Sequence, residues 1–102
     1  MNIEERVKIT ILAKYYGKLL TAKQQEILEM YVDNNLSLQE VSEELGISRQ
    51  AVKDALDTAI ISLNSTEEKL HFVERDAKIK QLLENGSKKQ LKEDILAILE
   101  DI

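Results

Sequence analysis

Cysteine and tryptophan are absent from the 102 residues, and only one histidine, His71, is present. The missing thiols exclude disulfides, thiolate zinc sites, iron–sulfur clusters and cysteine catalysis. Proline is also absent and glycine numbers three. A strand-rich chain turns often and spends more of both, so long helices with short connections are the economical fold. No apolar run reaches the length that spans a bilayer. The stretch from Met1 to Leu20 opens on Glu4 and Glu5 and is interrupted by Arg6, Lys8, Lys14 and Lys18. It does not read as a signal peptide, and the expected location is the cytoplasm with no membrane contact.

What is present is a globular balance, 43% apolar and 32% charged residues with a formal net charge of −5. The length suits one domain, and the overall field does not draw the chain toward phosphates or anionic lipid. Ile3, Val7, Ile11, Tyr15 and Leu19 recur every four residues with Leu12, Tyr16 and Leu20 beside them, a broad apolar stripe on a first helix that Gly17 interrupts. Thr21 with Gln24 forms a capping box that opens a second helix over about 22–33, closed by Asp33-Asn34-Asn35. Ser37 with Glu40 opens a third over about 38–45, with Leu36 and Val41 as a hydrophobic staple and Gly46 as its left-handed stop. Ser48 caps a fourth. Ser65 and Glu68 form a further capping box, so a break is expected near Asn64–Ser65, although Leu56, Leu63 and Leu70 keep a seven-residue step across it. A fifth helix is expected over about 66–84. Ser87 with Gln90 opens a sixth over 88–101.

The segment 38–57 carries the most information. Val41, Leu45, Ile47, Val52 and Leu56 supply a small core between two helices that meet at a glycine turn, and Ser42, Ala51 and Ala55 let the axes approach. This is the helix-turn-helix plan, in which one helix braces and the next enters a major groove. The exposed face of the fourth helix then offers Arg49, Gln50 and Lys53, suited to guanine, adenine and phosphate, and Ser48 marks a helix start able to hold a phosphate. Charge weighs against it. Between Ser37 and Asp57 two bases, Arg49 and Lys53, face five acids, Glu40, Glu43, Glu44, Asp54 and Asp57.

Residues 19–58 resemble the fourth region of bacterial sigma factors, and the chain is more similar still to the YlxM family of small bacterial proteins. The pieces that carry the likeness are YYGKLLTAKQ at 15–24, LSLQEVSEELGISRQAV at 36–52 and EEKLHF at 67–72, with Ser42 where such motifs often carry alanine. The resemblance implies an all-α, sigma region 4-like helix-turn-helix bundle. It also implies a regulatory or accessory role in the signal recognition particle pathway, with duplex DNA, the particle's RNA or its proteins as partners.

Other features imply little chemistry. His71 has no second histidine or cysteine to complete a metal site. The adjacent acids Glu4-Glu5, Glu43-Glu44 and Glu67-Glu68 diverge by about 100° on a helix. The serines sit at caps, and no phosphate-binding glycine loop is present. No enzyme, metal or cofactor is therefore expected. The expected organisation is a helix-turn-helix domain over 1–64 and C-terminal helices over 65–102. Those helices carry more aliphatic surface than so small an interior can take: Phe72, Ile79 and Leu83 on one side of the fifth, Leu70, Val73 and Ala77 on another. A homodimer through the C-terminal helices would bury that surface; a last helix folded back on the first would do the same internally. A second functional reading is an acidic helical adaptor that binds a basic protein surface without nucleic acid.

Overall fold

The computed structural model describes residues 1–85 and 88–100. Among them every regular element is helical. They form two compact units, one over Met1–Leu70 and one beginning at His71.

The first unit is organised around one long helix. Helices α1 (Ile3–Tyr16), α2 (Ala22–Leu28) and α3 (Leu38–Leu45) all pack against α4 (Arg49–Leu70). The interior is aliphatic: Ile27, Val41, Val52 and Leu63 are almost wholly buried, with Leu12, Leu28, Leu56 and Ala59 around them. Ala59 is fully buried and has only a methyl group. A larger side chain there would push a neighbouring helix away from α4.

The local signals act as their chemistry requires. Asn2 caps α1 through Glu5 N–H. Both capping boxes form, Thr21 with Gln24 and Ser37 with Glu40. Gly46 closes α3 at φ 66° in the left-handed region. Between α2 and α3 the chain does not keep α-helical pitch. Glu29–Asp33 is a π-turn in which Asn34 N–H reaches back to Glu29 C=O, and Asn35 then takes φ 56°. The guanidinium of Arg6 donates to the carbonyls of Tyr31 and Val32 at 3.2 and 3.1 Å. It thereby satisfies two acceptors that the end of a helix leaves open.

Two expectations need correction. The break near Asn64–Ser65 does not occur, because α4 runs unbroken to Leu70. The Asn64 amide and the Thr66 hydroxyl donate back to Ile60 and Ser62 carbonyls, so they turn onto the helix instead of opening a new one. Glu67 meets the phenol of Tyr16 at 2.6 Å, which ties the far half of α4 to α1. The chain leaves the helix at His71, which stands at φ 55°, and Leu70 therefore belongs to α4. The second correction concerns α1. Ile9, Leu12, Tyr16 and Leu20 face the interior, while the four-residue series Ile3, Val7, Ile11, Tyr15 and Leu19 is on the outside. The apolar arc is wider than the groove it fills, and the core uses only one edge of it.

The second unit is a pair of helices in contact, α5 (Phe72–Asn85) and α6 (Lys88–Glu100). No residue of α5 is fully buried; Phe72, Val73, Ile79 and Leu82 are half-buried. Arg75 lies over the Phe72 ring at 4.9 Å from its centre. The expected cap at Ser87 and the terminal Ile102 lie outside the described residues.

Candidate nucleic-acid interface

The turn from α3 to α4 is held by side chains that leave little freedom. Gly46 N–H donates to Ser42 C=O, and Ile47 N–H does the same at 3.2 Å. In return the Ser42 hydroxyl donates to Ile47 C=O at 2.7 Å. Serine is thus more than a small residue here, since an alanine at position 42 leaves that carbonyl without its donor. Behind the turn Val41 and Val52 are fully buried and Leu45 and Ile47 half-buried. This is the core that fixes the angle between the two helices.

Ser48 begins α4 as its cap. Its hydroxyl oxygen accepts from Ala51 N–H at 3.0 Å. That oxygen is therefore engaged by the helix, and the anion-binding capacity of this helix start rests on backbone N–H groups. Arg49, Gln50 and Lys53 all lie exposed on the first turn and a half. Together with Leu38, the first residue of α3, they line one shallow hollow on the surface. The structure thus brings the four candidate residues to one end of α4, and Leu38, which the sequence reading did not single out, supplies an apolar wall beside them.

The acids expected to repel phosphate do something more specific. Gln50 donates to Asp54 at 2.8 Å, and the Lys53 ammonium meets Asp57 at 2.9 Å. Each pair spans four residues on one helix face. The hydrogen bond to Asp57 and its charge, with Asp54 adding, raise Lys53 above the usual lysine value. Lys53 is fully charged at neutral pH and already has a counter-charge. Arg49 makes no ion pair among the described residues. Of the three side chains offered to a ligand, one is open and two are held by acids one turn further on.

His71 is exposed, with Nδ1 at 3.1 Å from Glu74, and Glu74 also meets Lys78. Among the described residues no group of histidine, aspartate and glutamate is arranged to hold a metal ion. No described helix is long and apolar enough to cross a membrane.

A family profile described as "Putative helix-turn-helix protein, YlxM / p13 like" matches residues 3–102. The chain belongs to this family, UPF0122. A UPF0122 protein of Thermoanaerobacter sp. (strain X514) is 46% identical over 101 residues, 92% of this chain and 86% of that one. One from Lactococcus lactis subsp. cremoris (strain MG1363) is 42% identical over 89 residues, covering 87% and 80%. One from Clostridium kluyveri (strain NBRC 12016) is 39% identical over 79 residues, covering 78% and 71%. The all-α helix-turn-helix reading and the family resemblance both hold.

Proposed function

We propose that this UPF0122 protein is a non-enzymatic, cytoplasmic nucleic-acid-binding protein that acts as a homodimer and presents the start of α4 to duplex DNA. The observation that carries the reading is the exposure of Arg49, Gln50 and Lys53 side by side at the start of a helix whose approach is fixed by Gly46 and Ser42. Arg49 is the base- or phosphate-reading group. Lys53 exchanges Asp57 for a phosphate, and the amides after Ser48 hold a second phosphate. The setting, a regulatory or accessory part of the signal recognition particle pathway, rests on the family resemblance. Duplex DNA is favoured over the particle's RNA because a helix does not read the deep groove of A-form RNA.

The acidic partners of Gln50 and Lys53 support a second reading, in which the same helix face docks on a basic protein surface without nucleic acid. Salt titration of binding to duplex DNA and to the particle RNA separates the two. The DNA reading expects affinity to fall with salt and to collapse in Arg49→Glu and Lys53→Glu. Unchanged affinity in both variants refutes it. Binding to a basic protein lost with Asp54→Lys and Asp57→Lys supports the adaptor.

A further inference from the structure

A hollow of about 240 Å³ lies between α1 and the stretch formed by α2 and the widened turn Glu29–Asp33. None of its lining residues belongs to α3 or α4, so it is separate from the recognition end. Its floor is apolar: Ile9, Leu20, Leu28 and Val32 are buried, and Ala13 is half-buried. Its charged groups divide by sign. Lys14, on α1, and Lys18, in the short turn after it, line one side. Glu29 and Asp33, the first and last residues of the widened turn, line the other. All four are exposed, and none forms an ion pair among the described residues. Each side thus holds two like charges four residues apart, an arrangement that repels. The opposite charges across the hollow do not meet.

Gly17 also lines the hollow, at φ −57° and ψ −33°, helical backbone that needs no glycine. A Cβ there would meet Ala13 Cβ at 3.8 Å, an ordinary contact. A larger residue would suit the backbone and put its side chain against the hollow; glycine, the poorer helix former, leaves the space clear. The Gln25 amide donates to Leu20 C=O at 2.9 Å, which holds its own oxygen as a further acceptor one turn before Glu29. Single π-turns are rare and concentrate at functional sites, and here one forms the acidic side.

We infer that this hollow binds a small zwitterion with an apolar body, a free amino acid or a dipeptide with aliphatic side chains. The carboxylate of the ligand meets Lys14 and Lys18, its ammonium meets Glu29, Asp33 and the Gln25 oxygen, and its side chain covers the floor. Charge complementarity selects this class. A neutral apolar ligand would take water from all four charges and pair none of them. A lone anion would suit the lysines and be repelled by Glu29 and Asp33, and a lone cation the reverse. The volume lies below the roughly 300 Å³ at which pockets for drug-sized molecules begin, so the occupant is small. The inference is independent of the nucleic-acid reading.

Titration of the full chain with L-leucine and with leucyl-leucine, followed by amide NMR, tests it and separates the two lengths. A saturable shift of the Gly17, Lys18, Gln25 and Glu29 signals is expected with at least one of them. Amidating the carboxylate or acetylating the ammonium of the compound that binds should each weaken it about tenfold or more. Gly17→Leu should abolish the shifts with unchanged helical circular dichroism. The paired change Lys14→Gln and Lys18→Gln should weaken the zwitterion about tenfold and leave the amidated form unaffected. No saturable shift with either compound overturns the inference. So does equal binding of the amidated or acetylated form, or binding that survives Gly17→Leu. Should Gly17→Leu lose helicity, the lysine pair decides: an equal loss for zwitterion and amidated form overturns the inference.

Discussion

Replacing Asp57 with asparagine isolates the role of Lys53. In the free protein the Lys53 ammonium is held by Asp57 at 2.9 Å on an exposed helix face. Each phosphate neutralised by a cation steepens the dependence of log affinity on log salt by about 0.9 on duplex DNA. Arg49 and Lys53 together set a limit near 1.8 per copy. A lysine that shares its charge with Asp57 contributes less than its full increment. Asp57→Asn should therefore tighten binding at low salt and steepen the slope by up to about 0.9 per copy. Between 50 and 200 mM salt that increment is a further loss of roughly threefold in affinity. Fluorescence anisotropy on a labelled duplex, repeated at four or more salt concentrations, reads both quantities. The diagnostic is the slope, since removing any acid near a phosphate raises affinity somewhat. A slope unchanged by Asp57→Asn, or steepened equally in the Lys53→Ala background, refutes the exchange of Asp57 for phosphate.

Gly46 has open space where a Cβ would stand, so Gly46→Ala tests only the left-handed backbone at φ 66°. It should cost about 1–2 kcal/mol, read as a lower midpoint in urea unfolding with an unchanged m-value. Tyr16→Phe removes the donor that meets Glu67 at 2.6 Å; it should cost about 1–2 kcal/mol and speed amide exchange in the last two turns of α4. At Glu74 the hydrogen bond and charge of Lys78, with His71 adding, hold the carboxyl below its usual value. A lowered folded value means the stabilisation is complete above the ordinary glutamate range and is lost as pH falls through the folded value. Protection at the start of α5 should therefore persist through the ordinary range on acidification and fall beneath it. In Lys78→Ala the loss should come at higher pH.

Helix boundaries were legible wherever one short-range bond decides them. Thr21, Ser37, Gly46 and Ser48 act within four residues of themselves, and each does what its type dictates. The end of α4 was not legible, because the capping signal at Ser65 and Glu68 competes with contacts made far along the chain. The Tyr16 phenol and the buried Leu63 hold that turn helical. The side of α1 that enters the core was hidden for the same reason: it depends on where α2 and α4 lie, and the sequence offers two apolar edges. At the recognition end the residues and their exposure were legible. The four-residue spacing of Gln50 with Asp54 and of Lys53 with Asp57 was there to be read as pairing, although charge counting registers it only as repulsion.

The widened turn at Glu29–Asp33 takes up one residue more than an ordinary helical turn. Val32 returns to the interior within it, four places after Leu28 and five after Ile27. An extra residue within regular helix would swing everything downstream by about 100°. Here a single turn takes it up before the chain leaves the helix at Asn34 and Asn35, and Ser37 then starts α3. The chain thus contains a shim just upstream of its binding motif. A kindred sequence shorter by one at this point would keep Val41 against Val52 simply by closing the turn to normal pitch.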